Sequence, residues 1–421
     1  MLRLQTHWQI LIALFLAVVA GSLTSQDSSL FGVPLLEVYT FFGTLFLNAL
    51  KMIIVPLIMA SIITGISGVS EGALGRLGGK TLLYYMATSL LAIMVGLLLV
   101  NLVAPGIIDG QPAKDVIGLG ADTSTIVAKV EGKGAGDIVD VFLRMIPTNV
   151  VSAAANGQML GLIFFSLLFG FFMTKVEGEK GSVLSNFWQA IFDVMMKMTN
   201  LVMKFAPIGV FALVAKVVTI SGVAVFIPLL AFFLTVLGAL LVHFAVTLPL
   251  ILIFVAKVSP WRHYRAMLPA LLTAFSTSSS ASTLPVTMEC VEKNAGVSNR
   301  TTSFVLPLGA TINMDGTALY ECVAAMFIAQ AYGIELGFAT QFTVVTIALL
   351  TSIGVAGIPA ASLVAISIIL ASIGLPAEAI GLILAVDRVL DMCRTSVNVF
   401  SDSCGAVTIG KLEGETEILK A

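Results

Sequence analysis

The sequence predicts an all-α polytopic membrane protein with eight transmembrane helices and two re-entrant helical hairpins. Of its 421 residues, 58% are hydrophobic and 11% are charged, and the mean hydropathy is +1.04. These values lie outside the range of soluble globular domains, so lipid is expected to be the main solvent of the chain. Many apolar stretches are long enough to cross a membrane as helices, and two of them are interrupted at their centres by residues that helices avoid.

Charge and cysteine content exclude several functional classes. The net charge is −2 and Lys and Arg form no cluster, which argues against nucleic acid as a partner because that binding depends on clustered cations. The cysteines stand singly, without the short pairings typical of disulfide frameworks or zinc sites, at Cys290, Cys322, Cys393 and Cys404. The three histidines are far apart in sequence, which disfavours a histidine-based metal site. No organic cofactor is expected.

Eight apolar stretches are long enough to span the hydrocarbon core as helices, which takes about 20 residues. They occupy residues 8–24, 38–69, 81–104, 146–174, 190–215, 218–256, 301–332 and 377–408. The first lacks a convincing signal-cleavage site, so we expect it to be retained. Lys and Arg flank alternate connections, whereas the connection at 25–37 carries acids and no basic residue. Because short cytoplasmic loops accumulate Lys and Arg, both termini are predicted to be cytoplasmic and 105–143 to form an external loop.

Two further stretches, 266–288 and 336–377, are interrupted at their centres. The first contains STSSSASTLP (276–285) and the second contains SIGVAGIP (352–359). Non-helical backbone at membrane depth must be buried in protein or line a water-filled cavity. A matched pair of interrupted segments indicates the binding site of a secondary transporter, so we interpret them as re-entrant hairpins. The alternative is that both are ordinary kinked spans.

The last span carries polar side chains that are costly inside a membrane. They are spaced at 0, 4, 7, 11 and 15 and fall within about 80° of one another on a helix: Asp387, Asp391, Arg394, Asn398 and Asp402. Arg394 can bind a carboxylate through two N–H groups and Asp391 can accept an ammonium group, which predicts a receptor for an acidic zwitterion. A salt-bridge ladder is the alternative, which the neighbouring Thr395 and Asn398 disfavour. Asp402 has no basic neighbour in sequence, so we expect sodium, a hard cation, to bind it.

The seventh full-length span contains NMDGTALYE, in which polar residues interrupt an apolar helix. Asn313, Gly316 and Thr317 favour local unwinding around Asp315, which would turn backbone carbonyls inward as cation ligands. Glu321 follows without an obvious Lys or Arg partner. Desolvation favours the neutral form of such a group, which makes it a candidate proton carrier. A glutamate hydrogen-bonded to a neighbouring helix is the alternative.

The serine run at 276–283 is rich in hydroxyls and backbone amides. At a hairpin tip, where half-helix N-termini point inward, these groups would suit the α-carboxylate of a substrate. A nucleophilic serine is the competing interpretation. It needs a base, but His243 is isolated and no serine lies in a recognisable elbow motif. We therefore expect a transporter and not an enzyme.

Four motifs together resemble the glutamate transporter family of dicarboxylate and amino acid:cation symporters: TSSSASTLP (277–285), NMDGTALYE (313–321), SIGVAGIP (352–359) and DMCRTSVNVFSD (391–402). The similarity covers nearly the whole chain. It implies a homotrimer in the cytoplasmic (inner) membrane, in which a transport domain moves like an elevator along a scaffold. The implied division is 1–80 (scaffold helices one and two), 81–104 (transport-domain helix three), 105–256 (external loop, scaffold helices four and five, and transport-associated helix six) and 257–421 (transport core with hairpin one, helix seven, hairpin two and helix eight).

The resemblance assigns substrate-binding roles by motif position. Asp391 would bind the amino group of aspartate or glutamate, and Arg394 would bind the side-chain carboxylate. The full set comprises Ser279, Ser280, Thr317, Gly357, Asp391, Arg394, Thr395 and Asn398. The second hairpin tip, residues 354–359, would form the outer gate.

Three sodium sites are implied in the same way. The first comprises Gly309, Asn313, Asn398 and Asp402; the second Tyr85, Thr88, Ser89, Asn313 and Asp315; the third the carbonyls of Thr311, Ser352, Ile353 and Val355. Proton-driven relatives tend to have an uncharged residue where Asp402 stands, so its presence favours sodium. Glu321 matches the glutamate that animal transporters use for proton cotransport and potassium countertransport, and the same coupling is an expectation here.

One feature departs from the family pattern. Members usually carry an extra arginine at the start of the serine run or directly after the substrate aspartate, and here those positions are Ser278 and Met392. Arg388, one turn before Met392, is a candidate replacement.

The sequence thus predicts a sodium-coupled secondary active symporter of acidic amino acids. The prediction depends on the pair of Asp391 and Arg394 lying beside Asp402 and Asp315, two acids that we expect to be unpaired with any basic residue. A proton-driven C4-dicarboxylate transporter and a substrate-gated anion channel are the alternatives. These motifs leave open the preference between aspartate and glutamate, the number of sodium ions, and the coupling of protons or potassium.

Overall fold

The computed structural model describes residues 6–25, 27–30, 32–67, 76–117, 143, 145–156, 158–222, 226–354, 361–375 and 377–419. Most of these residues are helical. The predicted external loop at 105–143 lies mainly outside the described residues, as does the tip of the second predicted hairpin at 355–360.

The first half of the chain combines helices with two short antiparallel strand pairs. The helices are α1 (Thr6–Leu23), α2 (Leu35–Ser67), α3 (Arg76–Val103), α4 (Ala113–Ile117), α5 (Val150–Ala155), α6 (Met159–Met173), α7 (Gly178–Lys204) and α8 (Ala206–Ser221). The strand pairs are β1 (Ser29–Leu30) with β2 (Val33–Pro34) and β3 (Ile107–Ile108) with β4 (Gln111–Pro112). Each pair turns through a glycine with positive φ, Gly32 at 82° and Gly110 at 79°, a conformation that glycine adopts without strain.

The second half contains the segments that carry the predicted site. Its helices are α9 (Phe226–Ala256), α10 (Pro260–Thr277), α11 (Ser280–Glu289), α12 (Asn299–Ile312), α13 (Asp315–Ala331), α14 (Phe338–Gly354), α15 (Ala361–Ile373) and α16 (Leu384–Leu412). α9 includes two π-helical turns, His243–Thr247 and Leu252–Ala256. A further π turn, Cys290–Asn294, extends α11, and a 3-10 turn, Ala377–Leu382, precedes α16.

Two of the described helices are long and apolar enough to cross a membrane. They are Leu77–Val103, within α3, and the whole of α9. A third span arises if Gly178–Val202 and Ala206–Ile220, which meet at a bend, are counted together. Helix length and composition therefore support two or three crossings, and the predicted total of eight stays a prediction.

Three stretches that were predicted as continuous spans are divided, and in one of them, 218–256, α8 ends with Gly222 as its C-cap and α9 begins at Phe226. The stretch at 146–174 is interrupted near Gln158, and the stretch at 190–215 is interrupted at Phe205. Pro207 explains the interruption at Phe205, because proline has no N–H to donate and is favoured at the first positions of a new helix.

The helix breaks predicted beside the last span are confirmed. Ser278 and Ser279 separate α10 from α11; Ser278 is left-handed with φ of 51°, and Ser279 caps α11 by accepting a hydrogen bond from Ser282 N at 3.2 Å. Asn313 and Met314 separate α12 from α13. Since helix ends carry backbone groups without intrahelical partners, each break brings polar backbone close to α16, against which all four helices pack.

The helices form two packed groups. In one, α8 packs against α1 and α2, and α2 packs against α6 and α7. In the other, α16 packs against α10, α12 and α13, while α3 packs against α9 and α13. Large side chains of the second group, such as Phe232, Phe327 and Phe400, are fully buried. α16 is surrounded by protein along most of its length, so its polar stripe lies in the interior.

Residues 413–419, which we call the C-terminal strap, fold back from the end of α16. Glu415 accepts hydrogen bonds from Ser298 N at 2.8 Å, Ser298 Oγ at 2.6 Å and Thr301 Oγ1 at 2.5 Å, at the start of α12. Arg262 of α10 donates to the carbonyl of Leu419 at 3.1 Å. Burial acts to raise the pKa of Glu415, but these hydrogen bonds outweigh it and hold the pKa below its usual value.

Candidate functional site

The polar stripe of α16 lies inside the protein. The exposed fractions of Asp387, Arg394, Asn398 and Asp402 are 7%, 1%, 3% and 3%, and Asp391 is half-buried. α16 packs against the broken helix pair α10 and α11 on one side and α12 and α13 on another. The stripe therefore faces both helix breaks, and its buried polar groups require partners there.

Arg394 and two aspartates form a buried ion-pair cluster. Arg394 Nη1 donates to Asp387 Oδ1 at 3.1 Å, and Nη2 donates to Asp391 Oδ1 at 2.9 Å. The guanidinium carbon lies 3.8 Å from the ring centroid of Tyr320, in cation–π contact. Arg394 Nε is buried and has no hydrogen-bond partner among the described residues. The salt bridges of the alternative interpretation are thus present, yet the guanidinium retains an N–H group that a carboxylate could use.

Asp391 is held by a second arginine. Arg388, three residues earlier on α16, donates from Nη1 to Asp391 Oδ2 at 3.2 Å. The two oxygens of Asp391 therefore face two different cations. Thr395 Oγ1 donates to the backbone carbonyl of Asp391 at 2.8 Å, so its proton is used within the helix and its oxygen keeps only acceptor capacity.

Asn398 joins α16 to the start of α13. Its Oδ1 accepts a hydrogen bond from Gly316 N at 2.8 Å, and its Nδ2 donates to Thr317 Oγ1 at 3.1 Å. A Cβ added to Gly316 would lie 2.7 Å from the carbonyl oxygen of Arg394, so only glycine permits this close approach. The arrangement brings Thr317 and Asn398, both predicted substrate ligands, into contact.

Asp402 is buried among oxygen atoms. Asn313 Nδ2 donates to Asp402 Oδ1 at 2.9 Å and to Ser401 Oγ at 3.0 Å. A Cβ added to Gly309 would lie 2.5 Å from Asp402 Oδ1 and 2.6 Å from Tyr85 Oη, so both oxygens approach the backbone of α12 at one point. None of the ion pairs formed by described residues includes Asp402. A buried carboxylate surrounded by oxygens is suited to a hard cation.

Asp315 has partners on three elements. Ser89 Oγ of α3 donates to Oδ1 at 2.7 Å, and Ser401 Oγ of α16 donates to Oδ2 at 2.6 Å. His243 Nε2 lies 3.0 Å from the same Oδ2. The expectation that Asp315 is unpaired with any basic residue is therefore wrong. The reason is the folding of α9 against α3 and α16, which brings a histidine 72 residues away to this carboxylate.

The other predicted sodium ligands are distributed over α3, α12 and α14. Thr88 Oγ1 donates at 3.3 Å to the side-chain carbonyl of the asparagine at the break between α12 and α13. Thr311 is in the last turn of α12, where backbone carbonyls lack partners within the helix. Ser352, which is buried, and Ile353 are in the last turn of α14. Two predicted ligands lie outside the described residues: Val355 and Gly357.

The tip of the first hairpin lies near α16. Ser279 and Ser280 stand at the N-terminus of α11, and Ser280 is 4% exposed. On the other arm of the hairpin, the backbone carbonyl of Leu271 accepts a hydrogen bond from Ser396 Oγ of α16 at 3.4 Å. The serine run is therefore adjacent to the helix that carries the stripe, through the packing of both hairpin arms.

Glu321 is fully buried on α13. Thr351 Oγ1 of α14 donates to Glu321 Oε2 at 2.8 Å, and Oε1 has no hydrogen-bond partner within the described part of the chain. The alternative interpretation, a hydrogen bond to a neighbouring helix, is therefore correct for one oxygen. The other oxygen can hold a proton without breaking that bond.

Three features of the site were not predicted: the contact of His243, the contacts of Ser401 and the placement of Arg388 on Asp391. His243 could have been suspected, because a polar residue inside an apolar span usually meets another polar group. Ser401 follows Asp387 by 14 residues, which places it about 40° from Asp387 at 100° per residue, next to the edge of the stripe. Rotamers and not spacing decide which arginine reaches which aspartate.

Comparisons with known proteins agree with these motifs. The family model described as Sodium:dicarboxylate symporter family matches residues 6–412. Excitatory amino acid transporter 3 of Oryctolagus cuniculus is 36% identical, over 97% of this chain and 86% of the relative. Proton/sodium-glutamate symport protein of Geobacillus stearothermophilus is 35% identical, over 99% of this chain and 96% of the relative. Proton/glutamate-aspartate symporter of Escherichia coli K12 is 35% identical, over 100% and 95%. The resemblance inferred from the four motifs is confirmed, and this chain belongs to the sodium:dicarboxylate symporter family.

Proposed function

We propose that this protein is a secondary active symporter that carries aspartate or glutamate across the cytoplasmic membrane together with sodium. The observation that carries the proposal is the contact between Arg394 and Asp391, a cation and an anion 2.9 Å apart inside the helical core. An α-amino dicarboxylic acid offers the complement of both groups, since its carboxylate suits the guanidinium and its ammonium suits the aspartate.

Charge exchange explains why such a substrate would be selected. Leaving one member of a buried ion pair without its partner costs about 3–5 kcal/mol, so the pair opens only for a guest that satisfies both members. An acidic amino acid does so, because Arg394 moves from Asp391 to the side-chain carboxylate while the ammonium group takes its place. A plain dicarboxylate leaves Asp391 without a replacement cation on Oδ1. Thr317, Asn398 and the serine run then provide neutral hydrogen-bonding groups for the rest of the substrate.

Sodium is the coupling ion that the remaining acids favour. Asp402 lies among oxygens at Gly309 and Tyr85, and Asp315 binds Ser89, so hydroxyl, carbonyl and carboxylate groups are close together. These are the ligand types that hard cations prefer. The predicted third site, which uses carbonyls of the second hairpin, and the assignment of individual ligands remain part of the proposal.

The proposal includes the membrane architecture predicted from the sequence. It comprises eight crossings, two re-entrant hairpins, cytoplasmic termini and a homotrimer. The scaffold would consist of 1–80 and of helices four and five within 105–256. The transport unit would consist of 81–104 and 257–421. α1, α2 and α6–α8 pack mainly with one another, and only limited contacts join α1 and α8 to α16 and α2 to α12, which supports a division into two units that slide past each other.

Flux measurements in liposomes test the proposal. Purified protein should accumulate labelled aspartate against its gradient when sodium is higher outside, and uptake should stop when choline replaces sodium. Asp402→Asn should raise the half-saturating sodium concentration, while Lys293→Gln, a change on an exposed side chain, should leave it unaltered. Uptake that is indifferent to sodium would refute the proposal.

The same preparation separates the alternatives. If succinate competes for uptake better than aspartate does, and a proton gradient alone drives that uptake, the protein is a proton-driven C4-dicarboxylate transporter. Aspartate that equilibrates without ever accumulating would select a channel. Measuring flux with and without internal potassium then decides whether Glu321 couples proton uptake to potassium return.

A further inference from the structure

The carboxylate of Asp391 is shared between two arginines of the same helix. Arg394 Nη2 binds Oδ1 at 2.9 Å, and Arg388 Nη1 binds Oδ2 at 3.2 Å. Arg394 has a second anionic partner, because its Nη1 binds Asp387 Oδ1 at 3.1 Å. The two arginines therefore differ: Arg394 can leave Asp391 and keep an acid, whereas Arg388 has Asp391 as its ion-pair partner in the described structure.

We propose that Arg388 is the positioning residue that keeps Asp391 oriented and charged for the ammonium group of the substrate. The inference rests on the proposed function, because it requires that Asp391 receives an ammonium group and that Arg394 receives a carboxylate. Arg388 itself does not touch the substrate in this proposal. It acts through Oδ2 of Asp391, the oxygen that Arg394 does not use.

The argument follows from the exchange of partners during binding. When Arg394 moves to the substrate carboxylate, Asp391 loses the bond at Oδ1 before the ammonium group has replaced it. The bond from Arg388 at Oδ2 persists, because the ion pair of Arg388 in the described structure is with Asp391, whereas Arg394 also binds Asp387 and keeps an acid when it leaves Asp391. A carboxylate anchored at one oxygen keeps its side-chain conformation, so its other oxygen stays directed at the incoming group.

Charge balance supports the same role. The cluster of Arg388, Arg394, Asp387 and Asp391 has two cations and two anions, so its formal charge is zero. An acidic amino acid brings a net charge of −1, and the sum becomes −1. Without Arg388 the empty cluster would already be at −1 and the occupied one at −2, in a buried region where repulsion between like charges is poorly screened.

A merely structural role predicts something different. Arg388 and Asp391 are only 14% and 13% exposed, so a merely structural role predicts that loss of Arg388 lowers the free energy of unfolding of the whole protein. Under a merely structural role, the loss of Arg388 would change the affinities for aspartate and sodium equally or would change neither. A positioning role instead predicts a defect confined to the ligand that carries the ammonium group.

The test compares aspartate and sodium binding in the full-length protein. Arg388→Gln should raise the Kd for aspartate, measured by calorimetry at saturating sodium, by about tenfold or more, the change expected from one lost hydrogen bond between charged groups. The Kd for sodium, measured without aspartate, should stay unaltered. Arg388→Lys should recover part of the lost affinity, because it restores the cation with a different geometry. Lys293→Gln, which removes an exposed ion pair of 2.8 Å elsewhere, should bind aspartate as the wild type does.

A double-mutant cycle supplies the decisive readout. If Arg388 acts through Asp391, adding Arg388→Gln to Asp391→Asn should weaken aspartate binding by less than threefold further. Equal aspartate affinity in Arg388→Gln and wild type would overturn the inference, as would equal losses for aspartate and sodium or additive losses in the double variant. Failure of the unmodified protein to bind aspartate would instead overturn the proposed function, and the inference with it.

Discussion

Replacing Gly309 by alanine tests whether the oxygens around Asp402 bind sodium. The new methyl group would lie 2.5 Å from Asp402 Oδ1 and 2.6 Å from Tyr85 Oη, whereas ordinary contacts of a Cβ atom are 3.4–4 Å long. The carboxylate must therefore withdraw by about 0.9 Å, the difference between 3.4 and 2.5 Å. Its 2.9 Å hydrogen bond from Asn313 is strained by the same movement.

The expected magnitude comes from two opposing effects. Overpacking of this kind costs about 1–3 kcal/mol. If that cost falls on the sodium-bound geometry, the half-saturating sodium concentration should rise about 5- to 150-fold, because 1.4 kcal/mol corresponds to a factor of ten. Alanine is also a better helix former than glycine by about 0.8–1 kcal/mol. The thermal stability of the sodium-free protein should therefore change less than its sodium affinity.

The assay is a sodium titration of aspartate uptake into proteoliposomes at saturating aspartate. Gly238→Ala is the matched control, because Gly238 is also a helix glycine but an added Cβ there meets no heavy atom within 4 Å. This control should keep the wild-type sodium dependence. If Gly309→Ala transports aspartate with the wild-type half-saturating sodium concentration, the oxygens beside Gly309 are not a sodium site and the reasoning fails.

Three further predictions concern other parts of the molecule. Glu321→Gln should make the rate of the return step independent of pH, because an amide cannot release a proton; an unaltered pH profile in exchange assays would contradict this. Ser89→Ala removes the donor 2.7 Å from Asp315 and should raise the half-saturating sodium concentration about tenfold, since a hydrogen bond to a charged group contributes about 1.5–3 kcal/mol; a wild-type sodium titration would count against it. Glu415→Gln should lower the free energy of unfolding at neutral pH by about 1 kcal/mol or less, because Glu415 is partly exposed. The pKa of Glu415 is lowered in the folded state, so its contribution is present above the unfolded value of about 4.3 and is lost as the pH falls through the folded value; a difference in melting temperature that persists at low pH would exclude the carboxylate as its cause.

The sequence predicts those parts of the site that depend on local chemistry. A run of serines disfavours a continuous membrane helix, and the helix is interrupted at Ser278 and Ser279. Asn313 with a following Asp-Gly favours unwinding, and α12 and α13 are separated there. The spacing of polar residues along α16 predicts one face, and that face is buried. Each of these predictions uses only residues close together in sequence.

Features that depend on contacts between distant parts of the chain could not be predicted from local sequence. The contact between His243 and Asp315 joins two apolar segments that carry no sequence sign of being neighbours. The pairing of Arg394 with Asp391 depends on side-chain rotamers, because two of the three aspartates on the stripe, Asp387 and Asp391, are within reach of the guanidinium. The division at Phe205 follows from a proline within a stretch whose apolar character alone suggested continuity.

The C-terminal strap makes the packing of α10–α12 depend on the order of synthesis. Leu419 N donates to the carbonyl of Ala295 at 2.9 Å, and the side chain of Ile418 is 1% exposed within the packed core. These contacts join residues made more than a hundred positions apart, and they can form only after residue 419 has left the ribosome. The side of α10, α11 and α12 that the strap covers must therefore remain uncovered until then. In a nascent chain stalled before residue 413, that surface would stay accessible to chaperones and proteases.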